Sequence, residues 1–73
     1  MIGNDGKPVS RDDIRAAVST YNAHPRGSPE FAKIPRALVT ILDNLIVGKT
    51  GYVKGVDGQL QLTRRKDKTI SVS

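Results

Sequence analysis

The sequence predicts a small α+β domain in which two helices pack on an antiparallel sheet. Its 73 residues are enough for one hydrophobic core and too few for a second domain. Apolar residues recur at helical spacing as far as Val47, and beyond it they alternate with polar residues, as strands require. An Asp57-Gly58 pair divides the alternating part, which is typical of a β-hairpin.

Residues 1–8 predict a flexible N-terminal segment ahead of a single domain over residues 9–73. The segment contains two glycines and Pro8, and little in its sequence anchors it. It has neither the basic start nor the apolar run of a targeting signal. The best apolar window, residues 37–47, is about half the length that a membrane-spanning helix needs. We therefore expect a soluble, cytoplasmic protein.

The first helix is predicted over about residues 10–22. Ser10 is a favourable N-cap, and Asp13 follows at the position that completes a capping box. One apolar stripe then recurs at helical spacing and comprises Ile14, Ala17, Val18 and Tyr21. The helix should end near Asn22, because the residue before Pro25 disfavours helical backbone.

A second main helix is predicted over about residues 35–47. Ser28 and Pro29 predict a short helical turn before it. Pro35 prevents one continuous helix, because proline lacks the backbone N–H and collides with the preceding turn. Apolar residues wrap most of this helix, so it should form the centre of the core. Gly48 is expected as the left-handed residue that caps its end.

The hairpin is predicted over about residues 52–63. A type I′ turn at Asp57-Gly58 would pair Val53 with Leu62 and create one apolar and one polar face. The apolar face carries Val53, Leu60 and Leu62, and the polar face carries Tyr52, Lys54, Gln59, Gln61 and Thr63. Residues 69–72 alternate again and predict a third strand.

No set of residues predicts catalysis. Gly48-Lys49-Thr50 is similar to the end of a phosphate-binding loop, but the glycine required five residues earlier is Asp43, and the strand–helix order is reversed. His24 is the only histidine and has no partner beside it in the sequence. The chain has no cysteine and no acidic cluster, so metal ligands are lacking. We expect no enzymatic activity, cofactor, metal or small-molecule substrate.

The charge distribution is the most informative polar feature. Residues 49–73 carry six basic residues against two acids, so most of the net charge of +5 belongs to the hairpin end. The basic run Arg64–Lys68 has two interpretations. It is a solvated loop that maintains solubility, or it contacts nucleic-acid phosphates or an acidic protein surface.

The order of helices, hairpin and basic run is similar in outline to a winged-helix DNA-binding domain. Against this alternative, the second helix offers few polar side chains for base edges, and one of them is Asp43, which phosphate repels. The three aromatic residues also lack the close spacing of an RNA-stacking sheet. The apolar surplus of the helix favours contact with another chain, or packing of every side of the helix within the fold.

In size, basic charge and absence of catalytic residues, the whole chain resembles the small lytic-phage regulators that bind host bacterial RNA polymerase. The resemblance implies a phage-encoded inhibitor of initiation and antiterminator that acts in the host cytoplasm. It implies binding to the N-terminus of the polymerase β′ subunit, rather than to a promoter sequence, and displacement of the initiation factor. Nucleic acid is expected as a secondary contact. Membrane partners are not expected.

The chain itself indicates which residues would contact the partner. Basic side chains accelerate docking on an acidic surface, and apolar anchors supply affinity. The electrostatic contacts are predicted to be Arg64, Arg65, Lys66 and Lys68. The predicted apolar anchors are Tyr52, Val39 and Ile46.

Overall fold

The computed structural model describes all 73 residues and contains three helices followed by a three-stranded antiparallel sheet. The helices are α1 (Arg11–Ala23), α2 (Pro29–Ala32) and α3 (Arg36–Asp43), and the strands are β1 (Thr50–Gly55), β2 (Gly58–Arg64) and β3 (Ile70–Val72). The strands lie in the sheet in chain order, with β2 in the centre. The predicted α+β class is confirmed, including the third strand. None of the helices has the length and apolar content to cross a bilayer.

The two helix starts predicted from a serine N-cap, Ser10 and Ser28, are confirmed. The Ser10 hydroxyl accepts a hydrogen bond from the Asp13 N–H at 3.2 Å, and α1 ends at Ala23, where His24 becomes extended before Pro25. The Ser28 hydroxyl accepts from the N–H of Phe31 at 3.2 Å and begins the single helical turn of α2. The break between α2 and α3 therefore follows the sequence prediction.

The prediction that the second main helix extends to Val47 is wrong, because α3 ends at Asp43 with Asn44 as its C-cap. The following residues turn towards the sheet instead. Val47 forms a parallel bridge with Arg64, and the Gly48 N–H donates to the Arg64 carbonyl at 2.9 Å. Gly48 has the expected positive φ of 80°, but it lies in the connector rather than at the helix end. Pairing with β2 thus ends the helix four residues early.

The predicted register of the hairpin is wrong by two residues. Val53 pairs with Leu60, and the turn residues are Val56 and Asp57 rather than Asp57 and Gly58. Neither turn residue has a positive φ, so the turn is not type I′. A shift by two leaves every side chain on its predicted face. The predicted apolar face is therefore buried, although the pairs within it differ.

Contacts with the start of α1 explain where the turn forms. The Val56 N–H donates to the Val9 carbonyl at 2.9 Å, and the Asp57 carboxylate accepts from the Arg11 N–H at 2.7 Å. Asp57 thus satisfies a free N–H of the first helical turn from a distant part of the chain. The hydrogen bond from the Arg11 backbone holds the pKa of Asp57 below its ordinary value. Docking on α1 selects this turn over the Asp-Gly alternative.

One face of the sheet packs against the helices and forms the core. All ten buried core residues are aliphatic: Val9, Ile14, Val18, Ile34, Leu38, Leu42, Val53, Leu60, Leu62 and Ile70. The outer edge of β3 is joined to α1 by the Asn22 amide, which donates to the Ile70 carbonyl and accepts from the Ile70 N–H, both at 2.8 Å. This side chain pairs with the outward backbone groups of Ile70 as a neighbouring strand would.

The N-terminal residues make contacts that the sequence did not predict. The Met1 amino group donates to the Lys54 carbonyl at 2.8 Å, beside the outer edge of β1. The Asn4 side chain donates to the Ile34 carbonyl at 3.0 Å and accepts from the Arg36 N–H at 2.9 Å. Residues 1–8 thus connect the first sheet strand with the start of α3.

Gly55→Ala should destabilise the fold, because the added Cβ would lie 2.9 Å from the Arg11 backbone nitrogen and 3.1 Å from the Ser10 carbonyl carbon. Backbone atoms of two docked elements cannot move aside cheaply, so we expect a loss of about 1–3 kcal/mol. Gly51→Ala is the matched control, since its Cβ meets only a Leu45 methyl at 3.5 Å, and its effect should stay within about 1 kcal/mol. Urea unfolding followed by circular dichroism measures both, and equal losses would contradict the close approach.

Asp57→Asn should lower the free energy of unfolding near neutral pH and reduce its dependence on acid. A depressed folded-state pKa means that ionised Asp57 stabilises the fold above about pH 4, and that this stabilisation disappears as the pH falls through the lowered pKa. The difference between wild type and variant should therefore shrink in acid. Urea unfolding at several pH values measures it. Asp12→Asn is the control, since its carboxylate bonds only to Arg15 on the same helix. A difference in unfolding free energy between wild type and Asp57→Asn that stayed constant across pH would contradict the prediction.

Candidate interaction surface

Arg64, the first residue of the basic run, is half-buried and held within the fold. Its guanidinium donates to the carbonyl oxygens of Leu42, Leu45 and Lys68 and, at 3.2 Å, to the Tyr21 hydroxyl. Two of these carbonyls belong to the end of α3 and its connector, where helical partners are missing. The sequence predicts Arg64 as a partner contact, but the structure occupies its guanidinium with four intramolecular acceptors.

A polar cluster surrounds this guanidinium at the ends of α1 and α3. The Tyr21 hydroxyl donates to the Asp43 carboxylate at 2.8 Å, and Arg26 donates to the same oxygen. Burial acts to raise the pKa of Asp43, but the hydrogen bonds from Arg26 and Tyr21 outweigh it and lower the pKa. Arg26 also lies 5.3 Å above the Phe31 ring. The cluster therefore keeps Asp43 ionised. Through its bond to Arg26, Asp43 links the end of α3 to the segment between α1 and α2.

The other predicted cations, Arg65, Lys66 and Lys68, are exposed in the loop between β2 and β3. Arg65 donates to the Thr69 hydroxyl at 3.2 Å, and the same hydroxyl donates to Asp67 at 2.6 Å. The hydrogen bonds from the Thr69 hydroxyl and N–H lower the pKa of Asp67. Three cations of the basic run thus remain on the surface, with one ionised acid among them.

An apolar groove lies between α3, the outer edge of β1 and the N-terminal segment. Its volume is about 370 Å³, and Lys54 has the only charged side chain that lines it. The remaining lining residues are Met1, Ile2, Ala37, Ile41, Tyr52 and Val53. Exposed fractions of 55% for Ile2 and 62% for Tyr52 leave large apolar surfaces in contact with water. The groove therefore gathers apolar side chains that a partner could cover.

The three predicted apolar anchors do not lie together. Tyr52 lines the groove, whereas Val39 is half-buried against the core. Val39 lies about 160° around α3 from the groove residue Ile41, because successive helical residues turn by about 100°. Ile46 is 62% exposed in the connector that follows α3. The groove therefore contains one predicted anchor.

Sequence reasoning missed Ile2 and Ile41 as surface residues. Ile2 belongs to a segment without a detectable pattern, and its position depends on the Ile2–Pro8 bridge. Ile41 belongs to the helix that the sequence predicts as the centre of the core, and it is 37% exposed. The spacing of Ala37 and Ile41 does place both on one flank of α3, and that signal could have separated them from the buried Leu38 and Leu42.

A wider cleft of about 780 Å³ lies between the N-terminal segment, α1 and the residues around α2. Its charged lining residues are Asp5, Lys7, Asp13, Glu30 and Lys33. Acidic and basic side chains are mixed along its walls, so the cleft has no uniform charge that would select an ionic ligand. It offers a less distinctive surface than the groove.

The residues considered for chemistry in the sequence lie apart from both surfaces or serve the fold. His24 Nδ1 is 3.8 Å from a Glu30 carboxylate oxygen, and both side chains are substantially exposed. Gly48 and Lys49 lie between α3 and β1, and Thr50 begins β1, in the helix-to-strand order already expected. No group of three or more histidine or acidic side chains has the arrangement of a metal site.

Comparison with known proteins found no matching family model, curated protein or solved structure.

Arg64→Met should reduce the free energy of unfolding by about 1.5–3 kcal/mol, because the charged donor to several half-buried carbonyls is lost. Arg65→Ala is the matched control from the same run, and as an exposed residue it should cost less than about 0.5 kcal/mol. Urea unfolding measures both. Equal stability of the two variants would contradict a structural role for Arg64.

Proposed function

We propose that the protein is a phage-encoded transcription regulator that binds host bacterial RNA polymerase by protein–protein contact. The observation that carries this proposal is the apolar groove beside β1, where Ile2, Ile41 and Tyr52 expose large side chains and Lys54 has the only charged side chain. Large anchors in a concave site are the features that concentrate affinity in protein interfaces. The resemblance of the whole chain to small polymerase-binding regulators supports the same class of partner.

Charge favours an acidic partner surface. The net charge is +5, and Arg65, Lys66 and Lys68 are exposed in the loop between β2 and β3. Long-range attraction between opposite charges accelerates association and weakens as salt increases. The cations therefore steer the encounter, and the groove supplies the contact that keeps the complex together.

Occupation of a polymerase surface would account for regulation without chemistry. By resemblance, the partner surface is the N-terminus of the β′ subunit, and binding there inhibits initiation by displacing the initiation factor. The same bound protein would remain on the elongating enzyme and promote antitermination. In this proposal the regulator must bind tightly at the surface that the initiation factor uses, and it needs no reacting group.

The winged-helix alternative has less support. Its recognition helix would be α3, which has eight residues. Two of the polar side chains on this helix are engaged within the chain, since the Thr40 hydroxyl donates to the Arg36 carbonyl at 3.1 Å and Asp43 accepts from Arg26 and Tyr21. Few donors remain to read base edges in a major groove. Duplex binding is therefore less favoured than the polymerase contact.

Purified RNA polymerase from the bacterial host, treated with nuclease, should bind the immobilised protein in a biosensor experiment. Ile41→Asp should weaken binding by at least about tenfold, since it places a charge in the apolar groove. The triple variant Arg65→Ala/Lys66→Ala/Lys68→Ala should mainly lower the association rate and flatten its dependence on salt. Arg64 stays unchanged in every variant, because its loss would destabilise the fold.

The control variant is Asp12→Ala, an exposed substitution on α1 away from the groove. It should bind as the wild type does, and circular dichroism should confirm that all variants are folded. Failure of polymerase to bind the wild type, or equal binding by wild type and Ile41→Asp, would overturn the proposal.

A further inference from the structure

The face of the sheet that points away from the helices forms a second surface, here called the open face. It comprises eight side chains: Thr50, Tyr52, Lys54, Gln59, Gln61, Thr63, Ser71 and Ser73. None of them is buried, and the core residues of α1 and α3 pack on the opposite side of the sheet. The open face is therefore accessible over all three strands.

The side chains of the open face are mainly neutral and polar. The face contains no acidic side chain, and most of its members are neutral hydrogen-bonding groups. Gln61 of the central strand lies between Tyr52 of β1 and Ser73, with which it exchanges backbone hydrogen bonds. The Tyr52 ring is 62% exposed at this row. One flat aromatic ring thus stands among amide and hydroxyl groups that can both donate and accept.

A cation lies at each end of this face. Lys54 pairs with Gln59 at the hairpin end. Arg65 continues the alternation of β2 beyond Thr63, and its guanidinium bonds to the Thr69 hydroxyl, which places it on the same side at the loop end. Arg65 is six positions beyond Gln59, the residue opposite Lys54, so the two cations are about 20 Å apart along the sheet. Asp67 also accepts from Thr69 and reduces the positive charge at the loop end.

We propose that the open face binds single-stranded nucleic acid. The two cations would contact backbone phosphates, one base would stack on Tyr52, and the amide and hydroxyl side chains would accept bases in several orientations. A single aromatic platform predicts weak dependence on base sequence. Duplex DNA fits less well, because its bases are unavailable for stacking and no helix projects from this face. The proposal goes beyond the polymerase contact. It shares Tyr52 and Lys54 with the groove and adds the amide and hydroxyl side chains of the open face.

Fluorescence anisotropy with a labelled oligothymidylate of about 12 nucleotides tests this proposal. The wild type should bind it, and the logarithm of affinity should fall with the logarithm of salt at a slope of about −1.4, the value for two phosphate contacts on a single strand. Tyr52→Ala should weaken binding at least about fivefold. Arg65→Ala should bring the slope close to −0.7, because one phosphate contact is lost.

Gln61→Glu separates this proposal from the polymerase contact. It puts a negative charge at the centre of the open face, and Gln61 does not line the groove, so the variant should weaken oligonucleotide binding while polymerase binding persists. Ile41→Asp should have the reverse pattern. Both variants should retain the circular dichroism spectrum of the wild type.

Three results would overturn the proposal. One is absence of oligothymidylate binding at low salt, and another is equal affinity of wild type and Gln61→Glu for the oligonucleotide. The third is tighter binding of a duplex of the same length, or of a polyglutamate peptide, than of the single strand, since either would show that charge alone selects the ligand.

Discussion

The guanidinium of Arg64 provides the interaction on which the rest of the architecture depends. Its carbonyl acceptors lie at the end of α3, in the connector to β1 and in the loop before β3. One side chain of the central strand therefore joins the helical layer, the connector and the neighbouring loop. A helix end needs donors for its last carbonyls, and a guanidinium supplies several of them in a rigid plane. The short α3 and the path of its connector follow from this arrangement.

The two-layer packing determines where interactions can occur. Helices cover one face of the sheet, and Asn22 bonds to the outer edge of β3 at Ile70. The opposite face and the region beside β1 remain accessible, and both proposed contacts lie there. Tyr52 and Lys54 border the apolar groove and also belong to the open face. The two surfaces therefore meet along β1, which would bring a polymerase contact and a nucleic-acid contact close together on one small protein.

A second constraint comes from the contact between the hairpin turn and the start of α1. The Asp57 carboxylate and the Val56 N–H bond to backbone groups there, and Gly55 lies too close to Arg11 for a side chain to fit. These contacts hold the turn one residue earlier than the local Asp-Gly preference would. The shifted register does not reduce core burial, because a shift of two keeps the same residues on the buried face.

The sequence by itself determined the α+β class, both capped helix starts, the third strand and the face on which each hairpin residue lies. These features depend on local spacing and on contacts within one turn, which a single segment encodes. Tertiary structure decided the end of α3, the hairpin register and the division of the basic run into a structural Arg64 and exposed cations. It also placed Ile2 beside Ile41 and Tyr52 in the groove. Each of these outcomes depends on hydrogen bonds or packing between residues far apart in the chain, and no local pattern specifies such partners.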